Sequence, residues 1–271
     1  MELAGLSIVI TGGGTGIGAA TATACAAAGM SVLIAGRRPE PLEQVAAAIE
    51  HSGGVCNTLE LDVTDADHAQ RLLDAAQSAF GSVHAVFANA GYGLDQPGHR
   101  TSMDELKSIF EVNFFATQRL LAEAARRWLA ANQPGHLLAC SSCVAKFALP
   151  YFGAYAATKG AQDLFCQAMR VELAPAGIQV STVHPITTTT EFFDVSAHVS
   201  DRSDHPTGLH HTPRAFRQSP ERVARAVVRC LRRPRPEVWT CRMARIMAAL
   251  RGVCPRLMDR QFRSMLDSSR L

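Results

Sequence analysis

Short apolar runs alternate along this chain with longer Ala-rich runs of helical period, and this alternation limits the possible folds more than any other feature. Six runs have the length and composition of buried strands: residues 6–12, 31–36, 55–62, 84–91, 136–142 and 178–185. Continuous apolar strands separated by helices are typical of a parallel sheet covered on both faces. The sequence therefore predicts an α/β fold of the Rossmann type, a doubly wound parallel sheet with ligands beyond the carboxyl ends of its strands.

A Gly-rich stretch, "TGGGTGIG" (11–18), lies between the first predicted strand and the first predicted helix. Glycines at such a turn let the backbone bend tightly and approach a pyrophosphate, which then sits on the helix N-terminus. In this strand–turn–helix context the stretch indicates dinucleotide binding. The candidate contacts are Gly12, Thr15, Gly16, Ile17 and Gly18.

The end of the second strand indicates which dinucleotide is bound. A site for NAD usually has Asp or Glu there, to bind the ribose 2′-hydroxyl. This chain has Gly36 followed by Arg37 and Arg38, and two guanidinium groups without a carboxylate suit a 2′-phosphate. The cofactor predicted is NADP(H), and the alternative is a solvated Arg pair in front of a helix.

The stretch "YAATK" places Tyr155 and Lys159 four residues apart in a predicted helix, on one face, whereas Tyr151 is two turns from Lys159. An ammonium group close to a phenol favours the phenolate and lowers the pKa of the phenol. We therefore expect Lys159 to tune Tyr155 as a proton donor and acceptor. By itself this spacing also fits an incidental helical pair.

Five motifs occur in a fixed order: "TGGGTGIG", "NAG" (89–91), "VNFFA" with Asn113, Ser142 thirteen residues before Tyr155, and "YAATK". In these motifs, over about residues 5 to 240, the chain resembles the simple one-domain branch of the short-chain dehydrogenase/reductase family. The resemblance implies an oxidoreductase with a Ser-Tyr-Lys-Asn tetrad. It also implies a homodimer or homotetramer formed through the helices at 102–133 and 152–175.

The resemblance implies a role for each member of the tetrad. Tyr155 gives a proton to the carbonyl oxygen during reduction, while Lys159 lowers the pKa of Tyr155 and holds the nicotinamide ribose. Ser142 hydrogen-bonds the substrate oxygen, and Asn113 supports a water chain to Lys159. The further cofactor contacts implied are Asp62, Val63, Asn89, Ala90, Gly91, Pro185, Thr188 and Thr190, besides Tyr155 and Lys159.

One position departs from the family pattern. The family usually has Pro-Gly after the sixth strand, and here Pro185 is followed by Ile186. A side chain at that position does not readily adopt a positive φ, so the local shape of the loop is open to question.

The chain is predicted to form one catalytic domain with a basic extension. Residues 1–240 are assigned to the dinucleotide-binding and catalytic domain, within which 186–218 is a substrate loop or lid. Residues 241–271 are assigned to an amphipathic C-terminal extension. Residues 214–271 contain 15 Lys and Arg against four Asp and Glu.

The extension has three interpretations. Met243, Ile246, Met247 and Leu250 form an apolar stripe between arginines. Such a stripe packs against a second subunit, covers the substrate pocket or lies on an anionic membrane surface. A structural or dimer role is favoured, with peripheral membrane contact as the alternative. Nucleic-acid binding is not expected, because the arginines lack interleaved aromatic residues and a known module.

No metal site and no redox pair are predicted. Cys140 and Cys143 form a C-x-x-C pair outside the usual redox context. Four histidines of the 186–218 loop lack a frame that would hold them around an ion: His198, His205, His210 and His211. The N-terminus has no signal-peptide pattern, and no apolar run approaches the roughly 18 residues of a membrane span. The expected location is therefore the cytoplasm.

These features favour a reductase or alcohol dehydrogenase that uses NADP(H). The "EFF" sequence of the loop and the Met- and Leu-rich extension favour a lipophilic ketone, aldehyde or secondary alcohol. Two alternatives remain. One is an NAD-dependent dehydrogenase or an epimerase on the same fold, against which the Arg37–Arg38 pair argues. The other is a non-catalytic dinucleotide sensor, which has no need of a proton-transferring Tyr–Lys pair.

Overall fold

Nine strands form two parallel sheets in a computed structural model that describes residues 2–200 and 216–263. The strands are β1 (Ser7–Thr11), β2 (Ser31–Gly36), β3 (Val55–Glu60), β4 (Ala85–Ala88), β5 (Gly135–Cys140), β6 (Ile178–His184), β7 (Thr187–Thr188), β8 (Arg217–Gln218) and β9 (Glu237–Trp239). The main sheet has the order β3-β2-β1-β4-β5-β6-β9, with every pair parallel. The chain reverses its direction of travel across the sheet between β1 and β4, where such folds bind ligands.

Within the described ranges, ten α-helices follow or separate the strands. They are α1 (Gly16–Ala27), α2 (Pro39–His51), α3 (His68–Phe80), α4 (Met103–Phe110), α5 (Ala116–Ala130), α6 (Gly153–Leu173), α7 (Phe192–Val199), α8 (Pro220–Arg232), α9 (Arg242–Val253) and α10 (Pro255–Arg263). Helices α1, α2 and α8 contribute to the core on one face of the sheet, and α3, α5 and α6 to the core on the other. The predicted doubly wound Rossmann-type fold is confirmed.

Strand β1 shows why the strands are apolar without interruption. Ile8 and Ile10 belong to the core under α1 and α2, whereas Val9 between them belongs to the core under α3 and α5. Successive side chains of a strand point to opposite faces, so a strand buried on both faces needs an apolar residue at every position.

Helix boundaries follow local signals in several places. Ser102 and Glu105 form a capping box at the start of α4. Gly81 ends α3 with a φ of 75°. The sequence predicted one continuous helix over 102–133, whereas the structure has a π-helical turn, Glu111–Phe115, between α4 and α5. The extra residue in this turn places Asn113 inside the molecule.

Residues 186–218, expected as an irregular loop, contain β7, α7 and β8 within their described part. His205, His210 and His211 lie outside the described residues. The predicted lid is therefore described only at its two ends.

Helix α10 of the basic extension packs against the body of the protein. The rings of Phe147 and Phe262 are stacked with centroids 5.9 Å apart, and Met258 is buried beside them. The opposite side of α9 exposes Met243, Ile246 and Leu250. Of the helices in the described ranges, none combines the length and apolar character needed to cross a bilayer.

The packing of the two core layers predicts which leucine destabilises the fold when it is replaced with Ala. Leu138, in β5 at the centre of the sheet, is 0% exposed, and Leu257 in α10 is 58% exposed. We expect Leu138→Ala to lower the free energy of unfolding by about 2–5 kcal/mol, because it removes buried methyl groups and leaves a cavity. Leu257→Ala is the control, with an expected change within about 0.5 kcal/mol. Urea unfolding followed by circular dichroism measures both, and similar losses would contradict this packing.

Candidate active site

A cavity of about 1610 Å³ opens at the carboxyl ends of the central strands. It is lined by the predicted cofactor residues other than Gly18 and by three of the predicted catalytic residues. The lining cofactor residues are Gly12, Thr15, Gly16, Ile17, Arg37, Arg38, Asp62, Val63, Asn89, Ala90, Gly91, Pro185, Thr188 and Thr190. The catalytic residues in the wall are Ser142, Tyr155 and Lys159. Gly18 and Asn113 lie behind this wall.

The Gly-rich turn has a shape that only glycines allow. Gly12 and Gly16 have φ values of 64° and 56°, in the left-handed region. A methyl group on Gly18 would overlap the carbonyl oxygen of Gly12. Helix α1 begins at Gly16, and the side chain of Thr15 at its N-cap forms no capping hydrogen bond. The first amide groups of α1 therefore face the cavity, as a pyrophosphate site requires.

Asn89, from the "NAG" motif, holds the Gly-rich turn in place. Its Nδ2 donates to the carbonyl oxygens of Thr11 and Gly12, at 3.1 and 3.2 Å. The hydroxyl of Thr11 accepts from the amides of Asn89 and Ala90, at 3.0 and 3.1 Å. These four bonds lock the end of β1 to the end of β4, the two strands that flank the crevice.

The two arginines lie at the mouth of the cavity, beyond the end of β2. Arg38 Nη2 is 2.7 Å from Glu191 Oε2, and both side chains are more than half exposed. Asp62 accepts hydrogen bonds from the amide and hydroxyl of Thr64, at 2.9 and 2.8 Å. Burial raises the pKa of Asp62, but these bonds and the nearby Arg37 outweigh burial and lower it. Sequence reasoning missed Glu191, because no local pattern links it to Arg38.

Tyr155 and Lys159 project from one face of α6, as their spacing predicted. Lys159 Nζ lies 5.9 Å from the centroid of the Tyr155 ring and donates to the carbonyl of Cys140 at 2.6 Å. Burial lowers the pKa of Lys159. Burial also raises the pKa of Tyr155, which a hydrogen bond with Ser142 opposes. Burial thus dominates in this structure, and the lowering of the Tyr155 pKa by Lys159 stays a prediction.

Ser141 and Ser142 both line the cavity, and their hydroxyls make different hydrogen bonds. The hydroxyl of Ser142 accepts from the amide of Val144 at 3.3 Å, at the start of a short 3-10 turn, and it hydrogen-bonds Tyr155. The hydroxyl of Ser141 instead faces the carbonyl of Lys159, at 3.5 Å. Ser142 and Tyr155 can therefore act on the same substrate atom.

Asn113 supports the wall from behind. Its Oδ1 accepts from the amide of Tyr92 at 3.0 Å, and its Nδ2 donates to the Tyr92 carbonyl at 2.9 Å and the Thr158 hydroxyl at 3.1 Å. A methyl group on Gly91 would lie 2.8 Å from Asn113 Oδ1 and 3.5 Å from Lys159 Nζ. Glycine at 91 thus permits close packing of these groups. The water chain implied by the resemblance stays a prediction.

Ile186 fits its loop without backbone strain. Among the described residues other than glycine, only Asn132 and Tyr151 have a positive φ. Ile186 is buried, and its carbonyl accepts from the hydroxyl of Thr188 at 2.9 Å. The departure from Pro-Gly therefore leaves the loop around Pro185 and Thr188 folded against the cavity.

Aromatic rings cover the Tyr155 side of the cavity. The Phe192 ring lies 5.3 Å from the rings of Tyr155 and Phe193, between centroids. Phe152, one helical turn before Tyr155, packs edge-on against it at 6.4 Å. A methyl group on Gly93 would come within 2.7 Å of Phe192. Sequence reasoning pointed to Phe192 and missed Phe152.

The two thiols beside this region are inert in character. Cys140 and Cys143 are both free, and burial raises the pKa of Cys143 to about 12. A thiol with such a pKa stays protonated at neutral pH and is a weak nucleophile. The absence of a redox role for the C-x-x-C pair stays a prediction.

Comparison with known proteins supplies independent information. A model of the short chain dehydrogenase family matches residues 7–199. An uncharacterized oxidoreductase of Listeria innocua is 29% identical over 236 residues, which cover 86% of this chain and 93% of that protein. Cyclopentanol dehydrogenase of Comamonas testosteroni is 33% identical over 181 residues, 66% of this chain and 71% of that protein. A short chain dehydrogenase/reductase from Burkholderia phymatum, crystallised with NAD, superimposes with a TM-score of 0.85 at 25% identity, over 95% of this chain and 96% of that one.

Proposed function

This chain belongs to the short chain dehydrogenase family, and from that premise we propose that it interconverts a ketone or aldehyde and the corresponding alcohol with NADP(H). One observation carries the proposal: Ser142, Tyr155 and Lys159 line the same cavity as the Gly-rich turn. Substrate and dinucleotide would therefore meet at the Tyr155 hydroxyl. The dimer or tetramer expected from the resemblance belongs to the same proposal.

The residues present fit a dinucleotide. The Gly12–Gly16 turn and the first turn of α1 would hold the pyrophosphate, and Asn89 keeps that turn in shape. Lys159 would hold the nicotinamide ribose. When bound, the nicotinamide supplies or accepts the hydride. Everything else in the reaction is done by groups of this chain.

Proton transfer is assigned to Tyr155. During reduction its hydroxyl gives a proton to the substrate oxygen, and the Ser142 hydroxyl donates a hydrogen bond to that same oxygen. Burial raises the pKa of Tyr155, which keeps the phenol protonated at neutral pH, as reduction requires. Oxidation needs the phenolate, so the alcohol-oxidising reaction should accelerate as the pH rises.

The choice of NADP(H) over NAD(H) rests on Arg37 and Arg38. Both line the cavity beyond Gly36, where a carboxylate would otherwise select the 2′-hydroxyl. Arg38 is paired with Glu191 at an exposed site, where an ion pair contributes little and is easily exchanged for a phosphate. Arg37, which is close enough to Asp62 to lower its pKa, is the stronger candidate for the phosphate contact.

Calorimetric titration tests the cofactor. We expect the purified protein to bind NADPH at least about tenfold more tightly than NADH, a difference of about 1.4 kcal/mol. Arg37→Ala should remove most of this preference, because it removes a charge-assisted hydrogen bond to the 2′-phosphate. The control is Arg71→Ala. Arg71 lies in α3, pairs with Asp65 and does not line the cavity. Equal affinities would favour an NAD-dependent dehydrogenase or an epimerase.

Two tyrosines of the cavity form a matched pair for testing proton transfer. We expect Tyr155→Phe to lower kcat by about 10²–10⁴-fold with unchanged NADPH binding, since it removes only the transferable proton. Tyr151→Phe should stay within about threefold of the wild type. In the wild type, kcat/KM for reduction should be flat from about pH 6 to about pH 9, and kcat/KM for oxidation should rise over that range. Tight NADPH binding without turnover of any carbonyl would favour the sensor.

The aromatic rings that cover the Tyr155 side of the cavity favour a lipophilic substrate. Phe192 and Phe193 line the cavity, and Phe192 lies against Tyr155. For a series of aldehydes from butanal to decanal, we expect kcat/KM to rise by up to about fourfold per buried CH₂, the equivalent of about 0.8 kcal/mol. Replacing both phenylalanines with Ala should flatten this series and leave butanal nearly unchanged, which makes butanal the internal control. An unchanged slope would contradict the lipophilic assignment.

Two further surfaces carry the expectations about partners. Helices α5 and α6 expose Leu129, Leu164, Phe165 and Val171, which suits association of subunits through these helices. Light scattering of the purified protein measures the subunit number.

Helix α9 exposes Met243, Ile246 and Leu250 next to Arg242 and Arg245, which suits an anionic bilayer surface. Co-sedimentation with phosphatidylserine vesicles, and its absence with phosphatidylcholine vesicles, measures that contact.

A further inference from the structure

Four ionisable side chains behind the cavity form a cluster that the proposed function does not use: Lys146, Asp163, His184 and Glu237. Lys146 Nζ lies 2.5 Å from Asp163 Oδ2 and 2.7 Å from Glu237 Oε1. Asp163 Oδ1 lies 3.3 Å from His184 Nε2. None of the four is among the described residues that line the cavity. Contact with the substrate or the dinucleotide therefore does not account for this cluster.

A metal ion does not account for it either. Asp163, His184 and Glu237 bring ligand atoms within 4.8 Å of one another, as a metal site does. The ammonium group of Lys146, however, lies at hydrogen-bond distance from both carboxylates, where a metal ion would have to displace it. Burial would raise the pKa of Asp163, but the contacts with His184 and Lys146 hold it well below its ordinary value. The protein itself neutralises these carboxylates.

The His184 ring is fixed in all directions. The ring is 0% exposed and stacks on Trp239, with centroids 4.5 Å apart and planes 12° from parallel. Trp239 is held in turn, since its Nε1 donates to Glu237 Oε2 at 2.8 Å. The hydroxyl of Thr182 lies 3.0 Å from His184 Nε2, on the same edge of the ring as Asp163. Stacking therefore fixes the plane of the imidazole, and these polar contacts fix its rotation within the plane.

The other edge of the ring faces the backbone of Ser142. His184 Nδ1 lies 3.0 Å from the Ser142 carbonyl oxygen. A carbonyl only accepts, so Nδ1 carries a proton and donates it. One residue further along, the amide of Cys143 donates to the carbonyl of Pro185 at 3.0 Å. Two hydrogen bonds therefore pin the peptide that joins Ser142 to Cys143, immediately below the Ser142 hydroxyl.

The position of this peptide decides where the Ser142 hydroxyl points. A serine side chain has a single χ angle, so its oxygen moves with its backbone. A displacement of about 1 Å in a catalytic group can cost about 100-fold in rate. The fixed position of the Ser142 carbonyl therefore matters for the rate of the reaction.

We propose that His184 is a positioning residue, which holds the backbone of Ser142 while Asp163, held in turn by Lys146, orients its ring. The proposal rests on the proposed function, in which the Ser142 hydroxyl binds the substrate oxygen. Asp163 follows Lys159 by one helical turn and Tyr155 by two, on one face of α6. A single helix therefore carries the proton donor and, through His184, sets the place of Ser142.

Two substitutions of similar size at His184 separate the hydrogen bond from the volume of the ring. His184→Leu keeps apolar bulk and removes the donor, whereas His184→Asn keeps an N–H near the position of Nδ1. With NADPH and the best aldehyde of the series, we expect His184→Leu to lower kcat by about 10- to 100-fold, with KM and NADPH affinity within about threefold. His184→Asn should recover to within about fivefold of the wild type. A folded His184→Asn protein as impaired as His184→Leu would overturn the proposal, as would a fully active His184→Leu protein.

A double-mutant cycle shows whether His184 acts through Ser142. In a Ser142→Ala background the hydroxyl that His184 positions is gone, so adding His184→Leu should lower kcat by less than about twofold. A general loosening of the active site would instead produce the same 10- to 100-fold loss in both backgrounds. That second result would overturn the proposal.

A readout without turnover tests the hold of His184 on the Ser142–Cys143 peptide separately from the assigned reaction. Amide hydrogen exchange at Cys143 and Val144 reports the peptide that His184 holds. We expect exchange at these two amides to accelerate by at least about tenfold in His184→Leu and to stay near the wild-type rate in His184→Asn. Unchanged exchange in His184→Leu overturns the positioning role. If the wild-type protein reduces no carbonyl compound, the proposed function fails, and these exchange rates alone decide the role of His184.

Discussion

The contact between the Lys159 ammonium group and the carbonyl of Cys140 is the interaction on which the site depends. It buries a cation with a 2.6 Å hydrogen bond to the last residue of β5, so it ties α6 to the carboxyl end of the sheet. Removing that charge from water is costly, as the lowered pKa of Lys159 shows. The chain uses arginine for 24 of its 27 basic residues. It has a lysine at 159 because this position needs a compact ammonium group.

Near this contact, polar side chains form hydrogen bonds with the backbone of neighbouring loops. Asn89 holds the Gly-rich turn, Asn113 holds Tyr92, and His184 holds Ser142. Asn113 and His184 are fully buried, so losing one partner of their bonds costs more than the bond itself contributes. Loops at the carboxyl edge of the sheet thereby acquire the fixed geometry that catalysis requires. Rigidity here comes from Asn89 in the cavity wall and from Asn113 and His184 behind it.

Features with a local cause could be predicted from the sequence, and features with a distant cause could not. The alternation of strands and helices, the Gly-rich turn and the shared face of Tyr155 and Lys159 follow from periodicity and spacing. The Arg38–Glu191 pair joins residues 153 positions apart, and the Asp163–His184 contact joins a helix to a strand. The burial of the Tyr155 phenol, which raises its pKa, also escaped prediction, because spacing reveals a nearby charge but not the loss of water around the phenol.

Although the basic extension differs in composition from the rest of the chain, it packs against the segment that carries Ser142. Phe147 follows the 3-10 turn that Ser142 caps, and it stacks on Phe262 of α10. Cys143, inside that turn, packs in the same small cluster. Any partner that moved α10 would therefore act first on the segment that carries Ser142. Helix α9, which carries the exposed stripe, packs against the same cluster through Met247 and Ala248, so it shares a small core with the segment that carries Ser142.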